Sequence, residues 1–420
     1  MKLAAALVLV VAPPVGVACE SSRSGTRRAA ASAEPAPSTE PARAAPRPPA
    51  PLASPGHAAA AIASGASASV APAAASSARA APGAPRGAWR LSDVADLGPA
   101  APAAATPTGI VAITATGEIV RVDAPSVAAA AARPTPRFGA DAAFARGRAP
   151  AVVAGHAYRV AGGQLVRAPL AGGPQQELAA GARDGTRVAV ALDGDAPVVA
   201  WIAEGPGETL TARLWRGGAG IAASPDGAGA SSVALVRGAG GLLLLALDVR
   251  TGMTQLHAAR VVADASSARV EGDAVLWVGG AGGSYTEVAA ASDGRSVTAW
   301  VAMERGVSGF GLATIEVGER PRVDAPSWWR EYPNGLDPAP VAGAPACGAV
   351  LVAFVQPTAA APGAERALLL ADARGGDADE VARARTFGDV SVAPTHDGAL
   401  LVWVAGDRTW ARSLRCAPGR

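Results

Sequence analysis

The sequence has almost no lysine or asparagine: Lys2 is its one lysine and Asn334 its one asparagine. Alanine, glycine, proline and arginine fill the composition instead, as in a chain encoded at high GC, so the arginines say little about an acidic partner. Strong charge is missing too. A formal net charge of +2 excludes the basic surface that holds a nucleic-acid backbone. Histidine is scarce, and His57, His156, His257 and His396 show no HExxH or other metal-ligand spacing. The cysteines do not form a zinc pattern, and there is no Walker loop, dinucleotide fingerprint or GxSxG elbow. These absences lead us to expect no catalytic residue, no metal and no cofactor. Long apolar runs are also lacking. LAAALVLVVA, which follows Lys2, is too short to cross a bilayer and is broken at Pro13-Pro14.

That run instead reads as the core of a signal peptide over residues 1–18. Gly16-Val17-Ala18-Cys19 resembles a lipobox, which implies cleavage before Cys19 and its lipidation, with plain secretion after cleavage as the alternative. Glu20 is not the Asp associated with inner-membrane retention, so the resemblance points to the outer membrane. From Cys19 to Ala88 the chain is Ala, Pro, Ser and Arg, with almost no large apolar group to offset the entropy of ordering, and reads as a disordered tether. Seven arginines against three glutamates make this tether basic, while the remainder is mildly acidic.

From Trp89 onward the composition changes and a repeat emerges. In YTEVAAASDGRSVTAWVAMERGVSGFGLATIEVG, starting at Tyr285, an Asp293-Gly294 turn separates two short strands, and a third follows a polar loop. The same order recurs in RVAVALDGDAPVVAWIAEGPGETLTARLW (187–215) and before Cys416, with weaker copies around Leu247 and Phe354. The anchors Trp201, Leu247, Trp300, Phe354 and Trp403 are spaced by 46, 53, 54 and 49 residues. Hairpins at 109–123 and 155–169 align through Ile119-Val120-Arg121 and Leu165-Val166-Arg167. Repeats of this length with an aromatic near the second strand are what propeller blades look like. The fold expected is all-β, a β-propeller over 89–420 with about seven blades, six or eight being compatible. The chain resembles bacterial β-propeller lipoproteins with degenerate "DG…AWV" blades, and no functional residue carries over from that resemblance.

The last repeat has three strands of its own, so the segment from Trp89 to Leu97 is expected to add its outer strand and close the ring. Cys347 takes the turn position of its repeat and Cys416 ends the third strand of the next, which places both on one face. A Cys347–Cys416 disulfide is expected in an oxidising compartment, the alternative being two unpaired thiols. Asp193, Asp293 and Asp397 recur before glycine or near it and are explained by turn chemistry, and Trp201, Trp300 and Trp403 by inter-sheet packing. PSWWREYPNGLDP (326–338) differs from the rest. We read it as a loop on the ligand-binding face, with Trp328, Trp329, Arg330 and Tyr332 as candidate binding residues. The function expected is a monomeric cell-envelope scaffold, held to the membrane by its lipid alone and binding a protein or glycan. A propeller enzyme acting on glycans and a structural spacer are the alternatives.

Overall fold

The computed structural model describes residues 89–127, 138, 144, 147–205, 209–217, 222–223, 230–250, 253–264, 267–278, 283–305, 307–316, 322–323, 327–333, 340–359, 363–374 and 377–417. All fall within the compact unit Ala75–Arg420. The signal peptide, Cys19 and the tether lie outside the described residues.

The described residues build seven antiparallel sheets, numbered here in chain order. Sheet 1 has three strands, Ala103–Thr106, Gly109–Ile113 and Ile119–Asp123; sheet 2 has four, beginning at Ala151–Val153. Sheets 3 and 4 open with Ala189–Asp193 and Ala230–Gly238, sheets 5 and 6 with Gly283–Ser292 and Val341–Ala346, and sheet 7 with Phe387–Thr395. These first strands touch one another in order, and that of sheet 7 returns to that of sheet 1, so the sheets stand around a central channel as a β-propeller. Tight turns join first to second strands, as at Asp193–Ala196 and Ala346–Ala349, where a short connection enforces antiparallel neighbours.

The packing follows from the strand period. Alternate residues of a second strand point to opposite neighbours. In sheet 4, Leu243, Leu245 and Leu247 pack against sheet 5, while Leu242, Leu244 and Ala246 pack against sheet 3. Both faces of each sheet must therefore be apolar, which is why the second strands read as unbroken hydrophobic runs. Trp201, Trp300 and Trp403 are buried between sheets, at 0%, 0% and 2% exposure. Trp300 lies over Gly343 of the next sheet, where an added Cβ would overlap the indole ring.

The N-terminal segment completes sheet 7. Trp89–Leu91 and Ala95–Pro99 both run antiparallel to Arg408–Cys416, with Trp89 opposite Cys416 and Ala95 opposite Ala411. Cys347 and Cys416 form a disulfide with their Cα atoms 5.1 Å apart, joining the first turn of sheet 6 to the end of the third strand of sheet 7. Cys347 sits at φ 53°, in the left-handed region that Gly normally occupies.

One expectation changes. Ser327–Pro333 is a strand, not a loop, and pairs with Val307–Glu316 as an outer strand of sheet 5. Trp328 stands opposite Gly311, Arg330 opposite Phe310 and Tyr332 opposite Ser308. The register shifts between Phe310 and Gly311, leaving Trp329 as the bulged residue. The bulge is the reason the segment shows no clean alternation in sequence, and prolines at its ends are compatible with an edge strand. The side chains of Trp328, Trp329, Arg330 and Tyr332 lie outside the described residues.

Candidate functional site

Four charged side chains meet at one end of the channel: Arg148 just before sheet 2, Arg187 just before sheet 3, Glu287 in the first strand of sheet 5 and Asp389 in that of sheet 7. Arg187 is the hub. Its Nη1 lies 2.9 Å from Glu287 Oε1 and donates to the carbonyl of Val341 at 2.8 Å, while Nη2 donates to Asp389 Oδ1 at 2.5 Å. Arg148 approaches from the other side, 3.6 Å from Glu287 and 3.7 Å from Asp389. The Ala149 amide donates to Asp389 Oδ2 at 2.5 Å. Ser232 opens sheet 4 in the matching position, and its hydroxyl accepts from the Val288 amide at 3.1 Å. The group thus ties together the inner strands of sheets 2, 3, 5, 6 and 7, with sheets 4 and 5 joined beside it.

The electrostatics follow from burial. The Glu287 and Asp389 side chains are 2% and 4% exposed. Desolvation raises the Glu287 pKa, and Asp389 adds to the rise, against the lowering pull of Arg187 and Arg148. Neither Glu287 oxygen makes a hydrogen bond of good geometry, so this carboxylate is held by charge alone. At Asp389 desolvation pulls upward as well. There Arg187, Arg148 and the Ala149 amide outweigh it, and the pKa falls below the usual carboxylate value. Desolvation of Arg187 is likewise outweighed by its two carboxylate partners, so it stays charged.

Two guanidinium groups face two carboxylates, and the cluster is neutral as a whole. Removing any member would leave a buried charge uncompensated, which is the costly case for an interior ion pair. Beside the cluster, a cavity of about 210 Å³ is lined by inner-strand residues such as Val190, Leu235, Ala290 and Val392. The arrangement locks the centre of the ring.

Sequence reasoning missed this cluster, though a signal was present. Arg187, Glu287 and Asp389 each immediately precede a valine and lie 14, 13 and 14 residues before Trp201, Trp300 and Trp403. Aligning the repeats on their tryptophans brings the three charges into one register.

The recurrent turn aspartates divide. Asp293 accepts from the amides of Arg295 and Ser296, both at 2.8 Å, and these bonds lower its pKa. Asp193 instead bridges two sheets, pairing with Arg216 of sheet 3 and Arg237 of sheet 4. His396 is fully exposed in its turn. Among the described residues no cluster of His, Cys, Asp and Glu is arranged to hold a metal ion.

No protein-family model and no curated protein matches this chain. Among solved structures it is similar to the N-terminal domain of Nup159, at 8% identity and a TM-score of 0.45 over 78% of this chain and 95% of that one. A mutant of AofleA from Arthrobotrys oligospora gives 11% and 0.40, over 79% and 94%. The Aleuria aurantia lectin, a six-bladed β-propeller described with a fucose recognition mode, gives 12% and 0.31, over 52% and 70%. None of these likenesses carries an argument about what this chain binds.

Proposed function

We propose that the chain is a monomeric cell-envelope lipoprotein, anchored in the outer membrane through Cys19, whose propeller is a non-enzymatic scaffold for a protein or glycan partner. The observation that supports this reading is the charge-balanced cluster of Arg148, Arg187, Glu287 and Asp389. In a propeller enzyme the channel is where catalytic groups would converge. Here the groups that converge neutralise one another and fasten inner strands together. No cofactor is required by this role.

We place the partner's landing site on Ser327–Pro333, with Trp328, Trp329, Arg330 and Tyr332 as its contact residues. Among the described residues this strand pairs only with Val307–Glu316, so its other edge has no strand beside it. A protein could add a strand to such an edge, and aromatic faces could stack on a sugar. The test is affinity capture with the immobilised full chain, from solubilised envelope and from glycan fractions, beside a Trp328→Ala/Trp329→Ala variant of unchanged circular dichroism. The expected result is a partner retained by the wild type and lost by the variant. Equal capture by both would move the site, and capture by neither would favour a spacer. Palmitate labelling that persists in Cys19→Ser would remove the anchor from the proposal.

A further inference from the structure

A cleft of about 620 Å³ opens between sheets 1 and 2, walled by the Thr116–Ile119 segment on one side and by Gly172–Gln175 on the other. Arg159, from the second strand of sheet 2, lines it. The strand period sends Arg159 the same way as Ala157, which packs against Val111 and Ile113 of sheet 1. Its Nε is buried without a hydrogen-bond partner, and among the described residues it makes no ion pair. Arg187 and Arg216 each have a carboxylate within reach, whereas Arg213 of sheet 3 shares with Arg159 a buried Nε without a hydrogen-bond partner. Burial accordingly pulls the Arg159 pKa down, with no opposing charge to raise it.

A buried guanidinium nitrogen with no partner is unfavourable, and an apolar residue of similar length would cover the seam better. The opposite wall supplies the Thr116 hydroxyl and the Glu118 carboxylate, and Gln175 donates across the cleft to the Gly117 carbonyl at 3.1 Å, fixing the two walls together. Among the described residues Glu118 is not ion-paired with Arg159, so acceptor and donor line the same cleft from its two walls. We propose that this cleft binds an acidic sugar, whose carboxylate completes the Arg159 guanidinium and whose hydroxyls reach Glu118 and Thr116. A planar guanidinium suits a carboxylate because it can offer two parallel N–H donors. The volume falls in the range of small-ligand sites. This extends the glycan side of the proposed function to a second place on the molecule; capture there depends on Trp328 and Trp329, and binding here on Arg159, so either can fail alone.

Calorimetric titration of the full chain with D-glucuronate, D-glucose and inorganic phosphate tests it. Glucuronate should bind saturably, and glucose and phosphate at least about tenfold more weakly. Arg159→Leu should abolish the glucuronate signal while raising the melting temperature of the unliganded chain, because it removes a buried donor that has no partner. Arg159→Lys should keep the charge and lose about tenfold or more in affinity, since it lacks the fork. Glu118→Gln, on the exposed wall, gives a variant whose folding is not at issue and should weaken glucuronate. No binding of glucuronate, equal binding of glucose or phosphate, or a lower melting temperature for unliganded Arg159→Leu would each overturn the proposal.

Discussion

Between sheets 6 and 7, buried apolar residues including Leu351, Leu370, Leu401, Trp403 and Leu414 form one continuous cluster; between sheets 1 and 2 the buried cluster is Val111, Ile113 and Ala157. The first seam is further held by the Cys347–Cys416 disulfide and by the Trp89 indole, which donates to Asp379 at 2.8 Å. The second contains Arg159 and an open cleft. Both seams join sheets of one ring, and both arise from the same repeat grammar. The difference lies in residue size and strand length: the second strand of sheet 7 is GALLVWVA, eight residues, whereas that of sheet 1 is GIVAI, five. A ring needs each seam closed but not each seam strong, which frees a weak seam to carry a polar group.

Four perturbations would break or sharpen this contrast. The largest effect is expected from Arg187→Leu, which strands Glu287 and Asp389 as buried charges and should cost about 3–5 kcal/mol in chemical denaturation. Because Arg187 reaches sheets 5, 6 and 7 but not sheet 1, amide exchange in this variant should rise on the strong side and narrow the contrast. Replacing Cys347 and Cys416 together by serine should cost about 4 kcal/mol for a loop of this length. A loss near zero would mean that the apolar cluster alone accounts for the strong seam. Next, Leu401→Ala should fall toward the upper part of the roughly 2–5 kcal/mol range for buried aliphatic truncation, and Ile113→Ala toward the lower, since the adjoining cleft lets its site relax. Equal losses would remove the contrast.

The smallest effect concerns pH. Glu287 has a raised folded pKa, so the folded state holds its proton more tightly, and stability is lost as pH rises from the ordinary glutamate value through the folded one. Asp389 acts in the opposite sense, its contribution fading as pH falls below the ordinary aspartate value through its lowered one. Melting temperatures should therefore decline as pH rises through the Glu287 window in the wild type, and Glu287→Gln should flatten that decline.

Much of the architecture was legible in the sequence because it rests on local rules. Asp-Gly turns, unbroken apolar second strands and regularly spaced tryptophans mark the sheets, and Trp201, Trp300 and Trp403 are buried where the pattern puts them. The closing role of the segment after Trp89 followed from counting strands. Ser327–Pro333 was missed as a strand because a bulge interrupts the alternation that identifies one. The channel cluster was harder to see, since Arg148, Arg187, Glu287 and Asp389 belong to four different sheets and only alignment of the repeats on their tryptophans relates three of them. Arg159 gave no signal at all: a single arginine in a strand looks like a solvated one, and only the packed seam reveals that its Nε is buried without a partner.

The pairing of Trp89 with Cys416 also has a mechanical side. Tension applied to the chain ahead of Trp89 enters the ring at its closing strand, the one element that an unreinforced propeller would peel off first. Here the load passes from Trp89 to the register partner Cys416, across the disulfide to the turn at Cys347, and through the Trp89 indole to Asp379. Two neighbouring sheets would share such a pull, because the segment through which it enters is fastened to both.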